Sequence, residues 1–132
     1  MNKRIEEVLL SIHPEYWDLI KSGKKTMEIR KSKPTNIFYP FRVIVYVTGG
    51  VGVVGKFDCD SITTTICPEQ FVASSCLTEK ELKDYADGKP LCGWHVKEGS
   101  VVSYEIPIPL QIATGLKIPP QSWRYLNRDV KK

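Results

Sequence analysis

Polar and apolar positions alternate in two runs within the first third of the chain, and a helical stripe separates them. Val8, Leu10 and Ile12 interleave with Leu9, Ser11 and His13, the period-two pattern of a strand with one wet face. Pro14 follows where a helix favours proline as its first residue, since the missing N–H would be unpaired there in any case. Tyr16, Leu19 and Ile20 then form a buried stripe, and Gly23 supplies a left-handed C-terminal cap. From Lys25 to Lys31 the period returns to two. Met27 and Ile29 point one way, and Thr26, Glu28 and Arg30 the other. Residues 32–40, with Pro34 and Pro40, read as a loop in which Ile37, Phe38 and Tyr39 are unusually apolar.

Further along, Val43, Val45 and Val47 alternate with Ile44 and Tyr46, a strand covered on both sides. Gly49-Gly50 predicts a hairpin into a long strand from Val51 to about Thr64, with Gly55 marking a bulge or a barrel corner. Pro68 to Ala73 reads as a short helix. In the next one, Thr78 and Glu81 match a capping box, Leu77 and Leu82 a hydrophobic staple, and Gly88 the stop. Leu91–Lys97 and Val101–Leu110 are expected to form a hairpin across Glu98-Gly99-Ser100, with Val102, Tyr104, Ile106, Ile108 and Leu110 facing the core. Pro107 and Pro109 cannot donate to a ladder, so that end belongs on an edge. Trp123 and Tyr125 fold back as a closing turn. Five to six strands with two or three short helices between them predict an α+β fold, a small mixed β-barrel that is closed or nearly so.

Length and composition narrow the function classes. At 132 residues, 42% hydrophobic and 26% charged, the chain is one globular domain spanning 1–132. Its longest apolar run, Val43 to Val47, is far short of the ~20 residues of a membrane helix. The start, Met1-Asn2-Lys3-Arg4, runs into Glu6 and Glu7 without an apolar stretch, so no signal peptide and a cytoplasmic location are expected. Cys59, Cys67, Cys76 and Cys92 form no Cys-x-x-Cys pair, and His13 and His95 lie far apart. Free thiols, no metal and no cofactor are therefore expected. A net charge of +4 permits a polyanionic partner without demanding one. The clustering says more: Lys21, Lys24, Lys25, Arg30, Lys31 and Lys33 surround the single acid Glu28.

The same region carries a family resemblance. Leu9-Leu-Ser-Ile-His-Pro-Glu-Tyr-Trp17, then Ile20, Ser22-Gly-Lys-Lys-Thr26 and Glu28-Ile-Arg-Lys31, resembles the ASCH domain family. The resemblance continues through Val53-Val-Gly-Lys-Phe57, Leu77-Thr-Glu-Lys-Glu81, Tyr85 with Gly88, and Pro119-Pro-Gln-Ser122, nearly the whole chain. It implies a PUA-like barrel of a kind that often handles RNA. Many family members carry lysine where this chain has His13. Some stand-alone relatives are amidohydrolases acting on acylated cytidine, with a lysine matching Lys25, a threonine three residues later and a glutamate after the long strand. Here the third residue is Glu28, and Thr26 alternates onto the face opposite Lys25. Other relatives are linked to RNA cleavage, for which Lys25, Arg30 and His13 are candidate parts here.

The candidate chemistry gathers on the polar faces of the first two strands. Ser11 and His13 share one face, and Thr26, Glu28 and Arg30 share the other; pairing of the strands would bring them together. Residues two apart on a strand face lie roughly 6–7 Å apart, so Glu28 and Arg30 either form a structural ion pair or hold a common ligand. In the second reading Arg30 and Lys25, with Lys24 and Lys31 beside them, hold phosphate while Glu28 accepts from a base edge. Single-strand binding also needs stacking rings. Trp17 flanks the basic segment, Phe38 and Tyr39 lie within reach, and Trp94 is better suited to core packing. The expected ligand is RNA or a nucleotide-like molecule in a basic cleft. The alternative is a hydrolase acting on a modified nucleoside or on RNA, for which Lys25 and Glu28 are the catalytic candidates.

Overall fold

The first apolar run is not half wet. In the computed structural model, which describes residues 6–126, strand β1 (Glu7–Ile12) is buried from Val8 onward. It lies between the parallel strand β3 (Phe41–Val47) and the short antiparallel β7 (Trp123–Tyr125). Val8, Leu10 and Ile12 join the main core with Val43, Val45 and Phe57, while Leu9 packs with Tyr46 and Val53 in a second cluster. A strand buried on both faces cannot keep a polar side, and Ser11 is tolerated there because its Oγ donates to the Pro120 carbonyl at 2.6 Å. The Met1–Arg4 stretch read for a signal peptide lies outside the described residues. Among those described, no helix is long and apolar enough to cross a membrane.

The sheet runs β2 (Met27–Arg30), β5 (Leu91–Val96), β4 (Gly52–Thr65), β3, β1, β7, and β6 (Val102–Ile108) pairs with β4 alone. These seven strands curl into a half-barrel, the α+β architecture expected, with β7 a strand rather than only a turn. Helix α1 (Pro14–Ser22) follows β1; α2 (Val72–Ser75), α3 (Glu79–Ala86) and α4 (Leu110–Thr114) are short, and Pro68–Phe71 forms a 3-10 turn before α2.

The predicted hairpin across Gly99 does not form. β5 pairs with the second half of β4 and β6 with the first half, so the chain continues along β4 instead of reversing. Asp58 pins the junction from both sides. Its carbonyl accepts from Lys97 N–H at 2.8 Å, and its own N–H donates to Ser100 Oγ at 2.9 Å. Lacking a second neighbour, β6 is an edge strand as its prolines require, and Val102 and Ile106 are exposed rather than core-facing. Tyr104, Ile108 and Leu110 still pack against the Leu9 cluster.

At Gly55 the expected bulge is present. Val45 pairs with Gly55 and Tyr46 with Val53, which leaves Val54 as the extra residue. Gly55 also admits a close neighbour: a Cβ there would meet the Val102 carbonyl and lie 2.8 Å from the Trp17 ring. Trp17 therefore belongs to the core, almost fully buried with Ile20, and the half-buried Tyr16 packs at its margin. Of the stripe read from the sequence Ile20 is buried as expected, while Trp17 takes the buried place given to Tyr16 and Leu19 is half-buried.

Helix α3 starts as expected. Glu81 N–H donates to Thr78 Oγ1 at 3.1 Å, and Thr78 N–H donates to Glu81 Oε1 at 2.9 Å. Leu77 packs in the cluster of Leu82, Ile29, Phe71, Ala86 and Leu91, and Asp87 takes the left-handed cap ahead of Gly88. Thr78→Ala is expected to cost about 0.5–2 kcal/mol and to lower the melting midpoint without altering ligand binding. An unchanged midpoint would mean that the box contributes nothing to the helix.

Candidate functional site

β1 and β2 do not pair; they lie near opposite ends of the curled sheet. Their polar groups meet through one side chain. Arg30 Nε and Nη2 donate to Glu28 Oε2 at 3.0 and 2.6 Å, and Nη2 donates also to the Ser11 carbonyl at 2.7 Å. Nη1 reaches Ser122 Oγ at 3.2 Å and the Ser122 carbonyl at 3.4 Å. A guanidinium carries five N–H groups, and these contacts occupy all of them. Arg30 thus ties the β2 edge to β1 and to the segment entering β7, and it has no donor left for a phosphate.

Lys25 arrives by a different route. β2 begins only at Met27, and Lys24 and Lys25 both donate their N–H groups to the Leu19 carbonyl, so the end of α1 sets their direction. Lys25 is 1% exposed, and its Nζ donates to the Ser75 carbonyl at 2.6 Å, lies 5.1 Å from the Tyr16 ring centre and stands 3.5 Å from Glu28 Oε1. Burial lowers the Lys25 pKa, and the Glu28 carboxylate opposes that shift without cancelling it. The 3.5 Å separation is too long for a good hydrogen bond, and Glu28 Oε1 is a buried oxygen with no hydrogen-bond partner.

These three charged groups line a cavity of about 380 Å³. The volume lies within the roughly 300–1,000 Å³ of small-molecule pockets. Ile29 and Leu77 supply apolar wall; Tyr16 and Tyr85 supply phenols that burial keeps protonated, with the Glu81 charge reinforcing the shift at Tyr16. Ser11, His13, Thr48, Glu81, Gln121 and Ser122 complete the lining, with His13 Nδ1 3.2 Å from Thr48 Oγ1. Among the described residues, no cluster of three His, Cys, Asp or Glu side chains is arranged to hold a metal.

Of the residues singled out from the sequence, Ser11, His13, Lys25, Glu28 and Arg30 line this cavity and the others do not. Trp17 is core. Thr26 is exposed, and its N–H donates to the Ser74 carbonyl. Lys24 is exposed with its carbonyl facing the Cys76 thiol, and the Lys31 ammonium sits 4.6 Å from the ring centre of Tyr85. Tyr39 packs edge-on to Phe41, and Trp94 is wholly buried between Phe41 and Trp123. The parity argument that sets Lys25 on the strand face fails because Lys25 precedes the strand. Tyr16, Ile29, Thr48, Leu77, Glu81, Tyr85, Gln121 and Ser122 are the lining residues that sequence reasoning did not assign. All of them but Thr48 stand in the segments that carry the family resemblance, which was the available signal.

Residues 10–101 match the ASCH domain family. Among solved structures, the fold is similar to an ASCH protein from Zymomonas mobilis, with 24% identity, a TM-score of 0.76, and 92% of this chain and 88% of that chain covered. Two single-residue variants of the same protein, one with a serine replaced by alanine and one with a tyrosine replaced by phenylalanine, align with TM-scores of 0.75 at 24% identity. Each covers 92% of this chain, and 89% and 91% of the respective variant chain. No curated protein matches the chain.

Two outcomes follow from this geometry. Arg30→Ala removes one partner of a buried pair and is expected to lose about 3–5 kcal/mol in denaturant unfolding. Arg30→Lys keeps the charge but strands the Ser11 and Ser122 acceptors, at about 1–3 kcal/mol. Midpoints equal to wild type in both would mean that the seam is held by other contacts. In an NMR titration of 13C-labelled lysine, Lys25 is expected to lose its proton below Lys80 and Lys83, which Asp84 and Glu79 raise above the ordinary 10.5. The unfolded lysine binds its proton more tightly, so this group's contribution to stability falls as pH drops from 10.5 toward the folded value. Co-titration of Lys25 with the exposed lysines would contradict its desolvation.

Proposed function

Because the chain belongs to the ASCH domain family, a PUA-like fold often linked to RNA, we propose that this cavity takes the base of a nucleotide or of a single-stranded RNA. The observation that carries the reading is Glu28 Oε1, an ionisable acceptor buried without a hydrogen bond in the wall of a cavity of about 380 Å³. A ligand N–H donated to this carboxylate oxygen makes a charge-assisted hydrogen bond, the stronger kind. Lys25 Nζ stands 3.5 Å away with donors beyond the one given to Ser75. The complementary edge therefore presents a donor beside an acceptor, as the amino group and ring nitrogen of cytosine or adenine do. Tyr16 and Tyr85 provide faces against which a base packs. Arg30 holds Glu28 in place and is a positioning residue rather than a phosphate ligand.

One observation favours a second reading. A buried lysine with a lowered pKa beside a carboxylate is equipped for proton transfer, so hydrolysis of a modified nucleoside or of RNA by Lys25 and Glu28 is the alternative. Thr26 lies outside the cavity and offers no nucleophile there, so little or no hydrolysis of acylated cytidine is expected.

Calorimetry at low salt with cytidine, adenosine, uridine and short RNAs tests the first reading. Cytidine and adenosine are expected to bind through the amino group and ring nitrogen and uridine through N3–H and O4, and Glu28→Gln to weaken all three by about tenfold, the scale of one charge-assisted hydrogen bond. Absence of binding by the wild-type protein, or equal affinity in the variant, removes the cavity as a base site. Chromatography of the same mixtures with acylated nucleosides tests the second: turnover abolished by Lys25→Ala or Glu28→Gln would make the hydrolase reading primary.

A further inference from the structure

A second, more open hollow of about 510 Å³ lies where the loop after β2 meets the turn before β5, lined by Lys31, Ser32, Lys33, Thr64, Lys89, Pro90 and Cys92. Three of its seven lining residues are lysines and none is an acid. Lys21, Lys80 and Lys83 are neutralised by Asp18, Asp84 and Glu79 at 3.4, 2.7 and 2.7 Å. Lys24, Lys56, Lys97 and Lys117 stand unpaired among the described residues but do not gather at this hollow. Among the described residues, Lys31, Lys33 and Lys89 make no such pair. Three like charges left around one hollow repel one another, and an anion reverses the sign of that energy.

The hollow is also built rather than floppy. Trp94 Nε1 donates to the Ser32 carbonyl at 3.2 Å and Trp123 Nε1 to Ser32 Oγ at 2.9 Å, which fixes the backbone between Lys31 and Lys33. Pro34, directly after them, is buried. The Lys31 ammonium stands 4.6 Å from the Tyr85 ring centre, and Tyr85 also lines the first cavity. Lys31 thus lines the hollow while its ammonium reaches the ring of Tyr85, a wall of the first cavity. Chain connectivity in a single-stranded nucleic acid has the same arrangement, a flat base attached to a run of phosphates.

We propose that Lys31, Lys33 and Lys89 bind the phosphate backbone of a single-stranded RNA that extends from the nucleotide seated in the cavity, a proposal that rests on the base-binding reading above. Compact ammonium charges serve as point contacts to phosphates and leave sequence choice to the cavity.

The test compares the wild-type protein with the triple variant Lys31→Ala, Lys33→Ala, Lys89→Ala, using cytidine, hexacytidylate and polyglutamate as probes over a range of salt. All three side chains are exposed, and matching thermal melts check the fold; Lys89→Glu alone serves as a second variant. The triple variant is expected to bind cytidine as the wild type does. Its log–log salt slope for hexacytidylate should fall by about 2, roughly 0.7 for each phosphate that is no longer neutralised, with affinity at low salt down on the order of 100-fold. Lys89→Glu should give a smaller loss in the same direction. An unchanged slope and affinity for hexacytidylate overturns the proposal, as does an equal loss for cytidine. Polyglutamate competing as well as hexacytidylate overturns it in favour of an acidic protein partner. If hexacytidylate binding depends on the lysines while cytidine neither binds nor competes, the phosphate site stands and the base-cavity reading falls.

Discussion

The fold hinges on a single guanidinium. A sheet that curls without closing leaves backbone groups of its terminal strands facing each other across a gap, and something has to satisfy them. Arg30 does so with five donors directed to a carboxylate, the Ser11 carbonyl and both oxygens of Ser122. Ser11 N–H adds a 2.9 Å bond to the Ser122 carbonyl, so the seam between β2, β1 and β7 is held by a compact polar knot. A charge at this depth needs a counter-charge, which is why Glu28 stands two residues away on the same strand face. The candidate site is a by-product of that requirement. Both Arg30 bonds converge on Glu28 Oε2, leaving Oε1 to face Lys25 at a distance where attraction is real and hydrogen bonding poor.

Lys25 presents the opposite case. Burying an ammonium is costly, and its partners here are one carbonyl, a phenol face and a distant carboxylate oxygen. Arg30 beside it adds repulsion rather than relief. Stability alone would favour an apolar residue at this position, since a buried charge with partial compensation rarely helps folding. Perturbed groups of this kind gather where ligands bind or protons move. The cavity therefore contains one group that the fold needs, Arg30, and one that it does not, Lys25.

Local signals are legible in the sequence, and signals that depend on what lies across the sheet are not. The Thr78–Glu81 box, the bulge at Gly55 and the turn at Gly49-Gly50 are fixed by backbone geometry within a few residues. Glu28 and Arg30 fall on one face because both lie inside a true strand. Lys25 escapes the alternation because it belongs to a helix cap, two residues ahead of that strand, where direction follows the Leu19 carbonyl. Tyr16 and Trp17 exchange roles for a reason no helical periodicity contains: only the absent side chain of Gly55, nearly forty residues away, makes room for an indole. The expected Gly99 hairpin fails because Asp58 holds the strand on course, a long-range contact that the turn residues themselves do not encode.

The basic run between residues 21 and 33 looks like one patch in the sequence and resolves into three environments. Lys21 and Lys24 are exposed at the end of α1, the first paired with Asp18. Lys25 and Arg30 are buried around Glu28, and Lys31 and Lys33 line an open hollow. Clustering in sequence counts charges without saying which of them still lack a partner. Inside, every Arg30 N–H is committed and the unmet group is an acceptor, so a phosphate would meet a carboxylate oxygen with no fork to receive it. Outside, the unmet groups are cations with no acid among them. The two hollows favour opposite chemistries, a neutral hydrogen-bonding edge within and negative charge without. A ligand that satisfies both at once has to join a flat polar ring to an anionic tether, which is the chemistry of a nucleotide unit in a strand.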